Sequence, residues 1–106
     1  MPIFADREKE FENRFKHDEE FRFKATARRN RMLGLWAARL LGLAGEAAEA
    51  YAKEVVAAQF EPHGNQRVVD KLAADLAVKD PGITPARITF ELEDFAKQAK
   101  QQLLKE

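Results

Sequence analysis

The amino-acid sequence predicts an all-α protein, a four-helix bundle with a long first helix or a mobile N-terminal segment, and three observations carry that reading. Strong helix formers, Ala, Leu, Glu, Lys, Arg and Gln, dominate almost the whole chain. β-branched residues are sparse and never alternate with polar ones over the length of a strand. Helix breakers cluster in three places, Gly42 to Gly45, Pro62-His63-Gly64-Asn65 and Asp80-Pro81-Gly82, and three breaks make four helices. A chain of 106 residues has room for one hydrophobic core, and four amphipathic helices with short connections fill it most economically as an antiparallel bundle.

The first helical region is the anomaly. Helix-compatible sequence runs without a breaker from about Asp6 to Leu41, roughly 54 Å at about 1.5 Å per residue. Its dense apolar run, Met32, Leu33, Leu35, Trp36, Leu40 and Leu41, lies in the C-terminal half, which is therefore the core strut. Gly34 within that run weakens the helix and is read as permitting close helix packing. The second helix presents Ala48, Tyr51, Val55 and Ala58 on one face, with Trp36 and Tyr51 expected in the core. The third, opening at Asn65 or a nearby residue, presents Val69, Leu72 and Leu76. The fourth has the clearest start: Thr84 as N-cap, Pro85 at the first helical position, and Ile83 placed to staple onto Ile88. Its core stripe is Ile88, Leu92, Phe95, Ala99 and Leu103.

The later helices are far shorter than the first, so a bundle built on them covers only about half of it. In the surplus N-terminal half, Phe4, Phe11 and Phe15 stand at i, i+7 and i+11, flanked by Arg7, Glu8, Lys9 and Glu12. That is the anchor spacing of a helix that lays its apolar face into a partner's groove. The other reading of these phenylalanines is that they cap the end of the protein's own bundle. The length mismatch favours docking, with residues 1–19 as a docking segment and residues 20–106 as the bundle that carries it.

Chemistry of other kinds finds little footing. Cysteine is absent, which excludes disulfides and thiolate catalysis and suits a reducing cytoplasm. Asp6 introduces charge before any apolar stretch forms near the N-terminus, so no secretory signal is expected, and no run approaches a membrane span. His17 and His63 are far apart and read as surface residues; no spacing assembles a metal site, a nucleophile or a phosphate cradle. The runs Asp18-Glu19-Glu20 and Glu91-Glu93-Asp94 read as solvated faces, and no catalytic, cofactor-binding or metal-binding residue is assigned. Lys and Arg balance Asp and Glu at 18 each, which removes a chain-wide argument for nucleic acid. A local one exists: residues 21 to 42 hold six bases and no acid. Arg22, Lys24, Arg28, Arg29 and Arg31 do not share one helical face, so pairing within the protein or with a protein partner ranks above phosphate tracking. A ligand-binding or nucleic-acid-binding bundle using segment 22–31 remains the rival reading.

Several stretches in register resemble one known family. Arg28-Arg29-Asn30, Leu35-Trp36-Ala37-Ala38, Ala50-Tyr51-Ala52, and Asp6-Arg7-Glu8-Lys9 leading into Phe11-Glu12 are similar to the zeta subunit of alphaproteobacterial F-type ATP synthase, over nearly the whole chain. The resemblance implies a four-helix bundle whose N-terminal segment is mobile when free. It implies that the segment inserts in the catalytic head of the synthase, where alpha and beta subunits meet the central gamma rotor. Rotation in the hydrolysis direction would close on this wedge and rotation in the synthesis direction would open it. By the same resemblance Phe4, Asp6, Arg7, Phe11 and Phe15 are the contact residues. The protein would be a monomer when free, cytoplasmic, and peripheral to the inner membrane only through the synthase. Weak adenine-nucleotide binding by the bundle is also implied, but no phosphate motif is present to which it maps, and no cofactor is expected. The sequence departs from the family pattern at Phe21, where Leu is usual, and at Pro62-His63-Gly64-Asn65, where the loop is generally more acidic.

Overall fold

The computed structural model describes the backbone of residues 2–106 and the side chains of residues 18–106. Four helices follow one another: α1 (Pro2–Leu40), α2 (Gly45–Ala58), α3 (Gly64–Ala77) and α4 (Pro85–Lys105). The three connections fall at the three expected breaks, and no strand is present among the described residues.

Local chemistry explains each boundary. Gly42 ends α1 with a positive φ of 80°, where the Leu43 N–H donates to Ala38 O at 2.8 Å and the Gly42 N–H to Arg39 O at 3.0 Å. This paired closure needs a residue without a Cβ penalty in the left-handed region, which is why glycine stands there. His63, at φ 59°, is the N-cap of α3 and the one non-glycine with positive φ among the described residues. At α4 the expected signature is complete: Thr84 Oγ1 accepts the Arg87 N–H at 3.2 Å, and Pro85 follows where its missing N–H costs nothing. Ile83 is partly buried against the core, and Ile88 is fully buried.

α1 packs on α2 along one side and on α4 along the other; α3 closes the ring by packing on both. Among the described residues the backbones of α2 and α4 lie diagonally opposite and do not approach within 8 Å. Leu33, Val55, Val68, Leu72, Leu76 and Ile88 are fully enclosed, and each contributes about 1.5–3 kcal/mol of transfer free energy. Leu92, Val69, Ala99, Tyr51 and Ala58 complete the core, as their spacing predicts. Ala48, Phe95 and Leu103 are only partly covered. Two expectations are corrected. Leu40 is 43% exposed at the last position of α1, where the chain turns toward α2 and the next residue, Leu41, packs against the core instead. Trp36 is half-buried at the edge of the core, where its ring lies 5.9 Å beneath the Arg87 guanidinium and trades burial for a cation contact.

Gly34 sets the closeness of α1 and α2. A Cβ there would lie 2.8 Å from Ala52 Cα and 3.2 Å from Val55 Cβ, so the two backbones touch only because position 34 has no side chain. Across α2 and α3, the Tyr51 hydroxyl donates to Asp75 Oδ2 at 2.7 Å, while Lys71 Nζ sits 5.0 Å from the Tyr51 ring centre and 3.0 Å from the same carboxylate oxygen. Burial, reinforced by that acceptor and its charge, pushes the Tyr51 hydroxyl well above its ordinary pKa of 10.0.

Two outcomes follow from these contacts. Gly34→Ala should gain about 1 kcal/mol of helix propensity and lose about 1–3 kcal/mol to overpacking, a net destabilisation seen as a lower urea midpoint. Folding holds Tyr51 protonated, whereas the unfolded chain releases the proton near pH 10. Its contribution to stability is therefore complete below about pH 10 and declines above it. The stability difference between wild type and Tyr51→Phe, followed by chemical unfolding across pH 8 to about 11.5, should be constant at first and then shrink.

Candidate protein-docking site

One end of the bundle gathers most of the unusual side chains. There α1 runs on past the other helices, α2 ends, α3 begins, and α4 finishes. Asp18, Glu19 and Glu20 are exposed, Phe21 is half-covered, and Ala25 is the first fully enclosed residue of α1 among those described. Among the described side chains, the body of the protein thus grips α1 from about Phe21 onward.

A buried polar network fastens this end. Asn30, which no solvent reaches, donates through Nδ2 to Gln59 Oε1 at 2.9 Å. Arg29, 8% exposed, donates through Nε to Asn30 Oδ1 at 3.1 Å, and through Nη2 to Gln59 Oε1 at 2.9 Å and Asn65 Oδ1 at 3.0 Å. Gln59 Nε2 closes the circuit onto Asn65 Oδ1 at 3.0 Å. Among the described residues no buried side-chain nitrogen or oxygen lacks a partner. The network ties α1 to the α2–α3 turn and so fixes where α1 leaves the bundle. Burial pulls the Arg29 pKa below its ordinary value.

The remaining basic residues of segment 22–31 divide into two groups. Arg28 is paired with Glu106, the residue that caps α4, at 2.6 Å, and that contact holds the Glu106 carboxyl below its ordinary pKa. Arg31 grips Glu49 on α2 at 2.9 Å. Arg22 and Lys24 are exposed and make no ion pair among the described residues. Three of the five bases are therefore committed to holding the bundle together, which is the internal pairing the balanced charge favours. His63 is exposed at its turn, as the sequence suggests; His17 lies outside the described side chains.

An apolar patch lies beside this network. The Phe23 and Phe60 rings face each other at 6.1 Å, tilted by 44°, yet remain 60% and 70% exposed. With Thr26, Ala27, Val56 and Gln59 they line a small cleft of about 40 Å³. Among the described residues no group of His, Cys, Asp and Glu is arranged to hold a metal ion.

Phe4, Asp6, Arg7, Phe11 and Phe15 lie on the N-terminal half of α1, outside the described side chains. The structure brings together a set that sequence reading did not assemble: Arg29, Asn30, Gln59 and Asn65. A signal for it was present. At about 100° per residue Asn30 shares the face of Leu33 and Ala37, so periodicity places it inward although its side chain is polar.

An extended terminal helix on a compact four-helix body, with an apolar and basic surface where the helix leaves, defines a small helical interaction protein. The profile of one family, ATPase inhibitor subunit zeta, matches residues 1–102, and the chain belongs to that family. A solved structure described as the solution NMR structure of the protein is 44% identical, with a TM-score of 0.68 over 78% of this chain and 94% of that one. No curated protein matches the chain.

Asn30→Ala removes two of the five bonds of the network and leaves the Arg29 Nε without its acceptor, while Gln59 Oε1 keeps only the Arg29 Nη2 donor. We expect a loss of about 2–3 kcal/mol in urea unfolding, with the helical circular-dichroism signal retained below the transition.

Proposed function

We propose that this ATPase inhibitor subunit acts by inserting residues 1–19 into the catalytic head of the F-type ATP synthase, where alpha and beta subunits meet gamma, as a one-way wedge. Residues 20–106 form the scaffold that presents and retains the segment. Rotation in the hydrolysis direction closes the interface on the helix; rotation in the synthesis direction opens it. Family membership supports an inhibitor of an ATPase, and the length of α1 supports the placement of the inhibitory part.

The carrying observation is the mismatch within the bundle. α1 spans 39 residues, about 58 Å, whereas α2 and α3 have 14 residues each and α4 has 21. The exposed Asp18, Glu19 and Glu20 mark where coverage by the body has stopped. Helical phase adds a second support. At about 100° per residue, Phe4, Phe11 and Phe15 fall on the same line along α1 as Arg22, which is exposed, and Arg29, which is buried within the bundle. A partner seated on the phenylalanine seam would occupy the prolongation of the bundle's own core. Phe4, Asp6, Arg7, Phe11 and Phe15 are the contact residues in this reading.

On this reading the protein is a monomer when free. It resides in the cytoplasm and reaches the membrane only through the synthase; among the described residues no helix is long and apolar enough to cross a bilayer. The nucleic-acid reading loses ground because Arg28, Arg29 and Arg31 are engaged inside the fold.

Phe11→Ser with Phe15→Ser tests the assignment. If both are buried anchors, the concentration giving half-maximal inhibition of ATP hydrolysis by the purified catalytic head should rise by a hundredfold or more, since such anchors contribute about 2 kcal/mol or more each. The thermal midpoint of the free protein should not move. Unchanged inhibition, or a large fall in that midpoint, would refute the proposal and favour phenylalanines that cap the protein's own bundle.

A further inference from the structure

Between α1 and α4, at the end where α1 leaves the bundle, lies a cleft of about 270 Å³ lined by Arg22, Ala25, Thr26, Arg29, Ala96 and Lys100. Three of these six are cations and none is an acid. Four of the seven arginines among the described residues have close carboxylates: Arg28 meets Glu106 at 2.6 Å, Arg31 meets Glu49 at 2.9 Å, Arg67 meets Glu61 at 2.7 Å, and Arg87 meets Glu91 at 3.1 Å. Among the described residues Arg22, Arg29 and Lys100 form no ion pair.

Arg29 makes the deficit notable. It is 8% exposed, and its Nε and Nη2 are held by the amide oxygens of Asn30, Gln59 and Asn65, while Nη1 donates to none of these. A guanidinium kept largely out of water without a counter-charge is held at an electrostatic cost, which a carboxylate brought to it would offset. Arg presents a planar fork suited to a carboxylate, and the Thr26 hydroxyl lines the same cleft.

Position decides where such a carboxylate comes from. Arg22 and Arg29 share the helical line of Phe4, Phe11 and Phe15, and Arg22 stands seven residues, or about 10 Å along the axis, above Phe15. A protein surface that receives the seam must therefore border the mouth of the cleft. We propose that the Arg22, Arg29 and Lys100 cleft receives a carboxylate-bearing segment of the same partner that takes residues 1–19, so the partner is held at two adjoining points of one helix. This rests on the wedge reading above. It assigns the bundle a direct share in binding and makes that share sensitive to salt.

The test uses full-length protein and purified catalytic head. Arg22→Glu with Lys100→Glu should raise the half-inhibitory concentration at least tenfold at low salt, leave the plateau of inhibition unchanged, and abolish most of the weakening that about 0.5 M salt causes in wild type. Both residues are exposed, so the thermal midpoint should hold. Should the charge-reversed pair fail to fold, Arg22→Gln with Lys100→Gln carries the test, with at least a threefold rise expected. A half-inhibitory concentration within twofold of wild type for the folded pair overturns the proposal. So does saturable binding of inorganic phosphate or ADP that these substitutions abolish while inhibition is unchanged, which would make the cleft a small-anion site. Phe11→Ser with Phe15→Ser, run alongside, separates the two ideas: if that pair weakens inhibition and the Arg22/Lys100 pair does not, only this inference fails, and if wild type itself does not inhibit, the wedge reading fails.

Discussion

A helix of 39 residues bound to neighbours of 14, 14 and 21 cannot be covered by them, and the architecture of this protein is organised around that inequality. Among the described side chains the bundle packs on α1 from about Phe21 to the end of the helix at Leu40, and its core is complete within that length. The N-terminal part of α1 extends beyond that length. An isolated amphipathic helix of such length is marginal in water and acquires stability only on a surface that accepts its apolar face. The inequality is thus both a structural fact and the reason to look for a partner.

The polar network converts this overhang into a directed one. An apolar contact between α1 and the α2–α3 turn would hold the elements together but would tolerate sliding by part of a turn. Arg29, Asn30, Gln59 and Asn65 exchange five hydrogen bonds of defined geometry, and a shift of α1 would break several at once. The fully buried Asn30 gives the register little latitude, since an unmet amide in the core is costly. The exit position and rotational phase of the helix are therefore fixed by the same residues. The helical phase of the bundled half therefore continues into the N-terminal half of α1.

Much of this was legible in the sequence, for identifiable reasons. The start of α4 is written in adjacent residues, Ile83-Thr84-Pro85, each with a local role, so no tertiary knowledge is needed. The three turns are marked by residues whose backbone preferences exclude helix, and Gly34 in a Leu-rich stretch signals the close approach that Ala52 completes. Sequence reading faltered where the outcome depends on what lies opposite. Leu40 and Trp36 belong to the apolar run but lie where the neighbouring elements thin out. Ala52 and Val68 are fully covered and lie one i+4 step from Ala48 and Leu72, although the predicted stripes omit them. The candidate site divides likewise. Arg29 read as part of a basic surface because its acceptors, Gln59 and Asn65, come from about 30 residues away. The phenylalanine seam, by contrast, is a matter of spacing alone.

The contact between Gly34 and Ala52 has a mechanical meaning as well. Two helices separated by side chains can roll on one another as rotamers readjust, so a twist applied to one is partly lost before it reaches the other. Backbone seated against backbone leaves no such slack: turning α1 about its own axis would carry the flanking Leu33 and Leu35 side chains into α2 and pry the pair apart. A torsional load on the far end of α1 would then be borne by the whole body as a rigid lever, with its fulcrum where one hydrogen atom stands in place of a side chain.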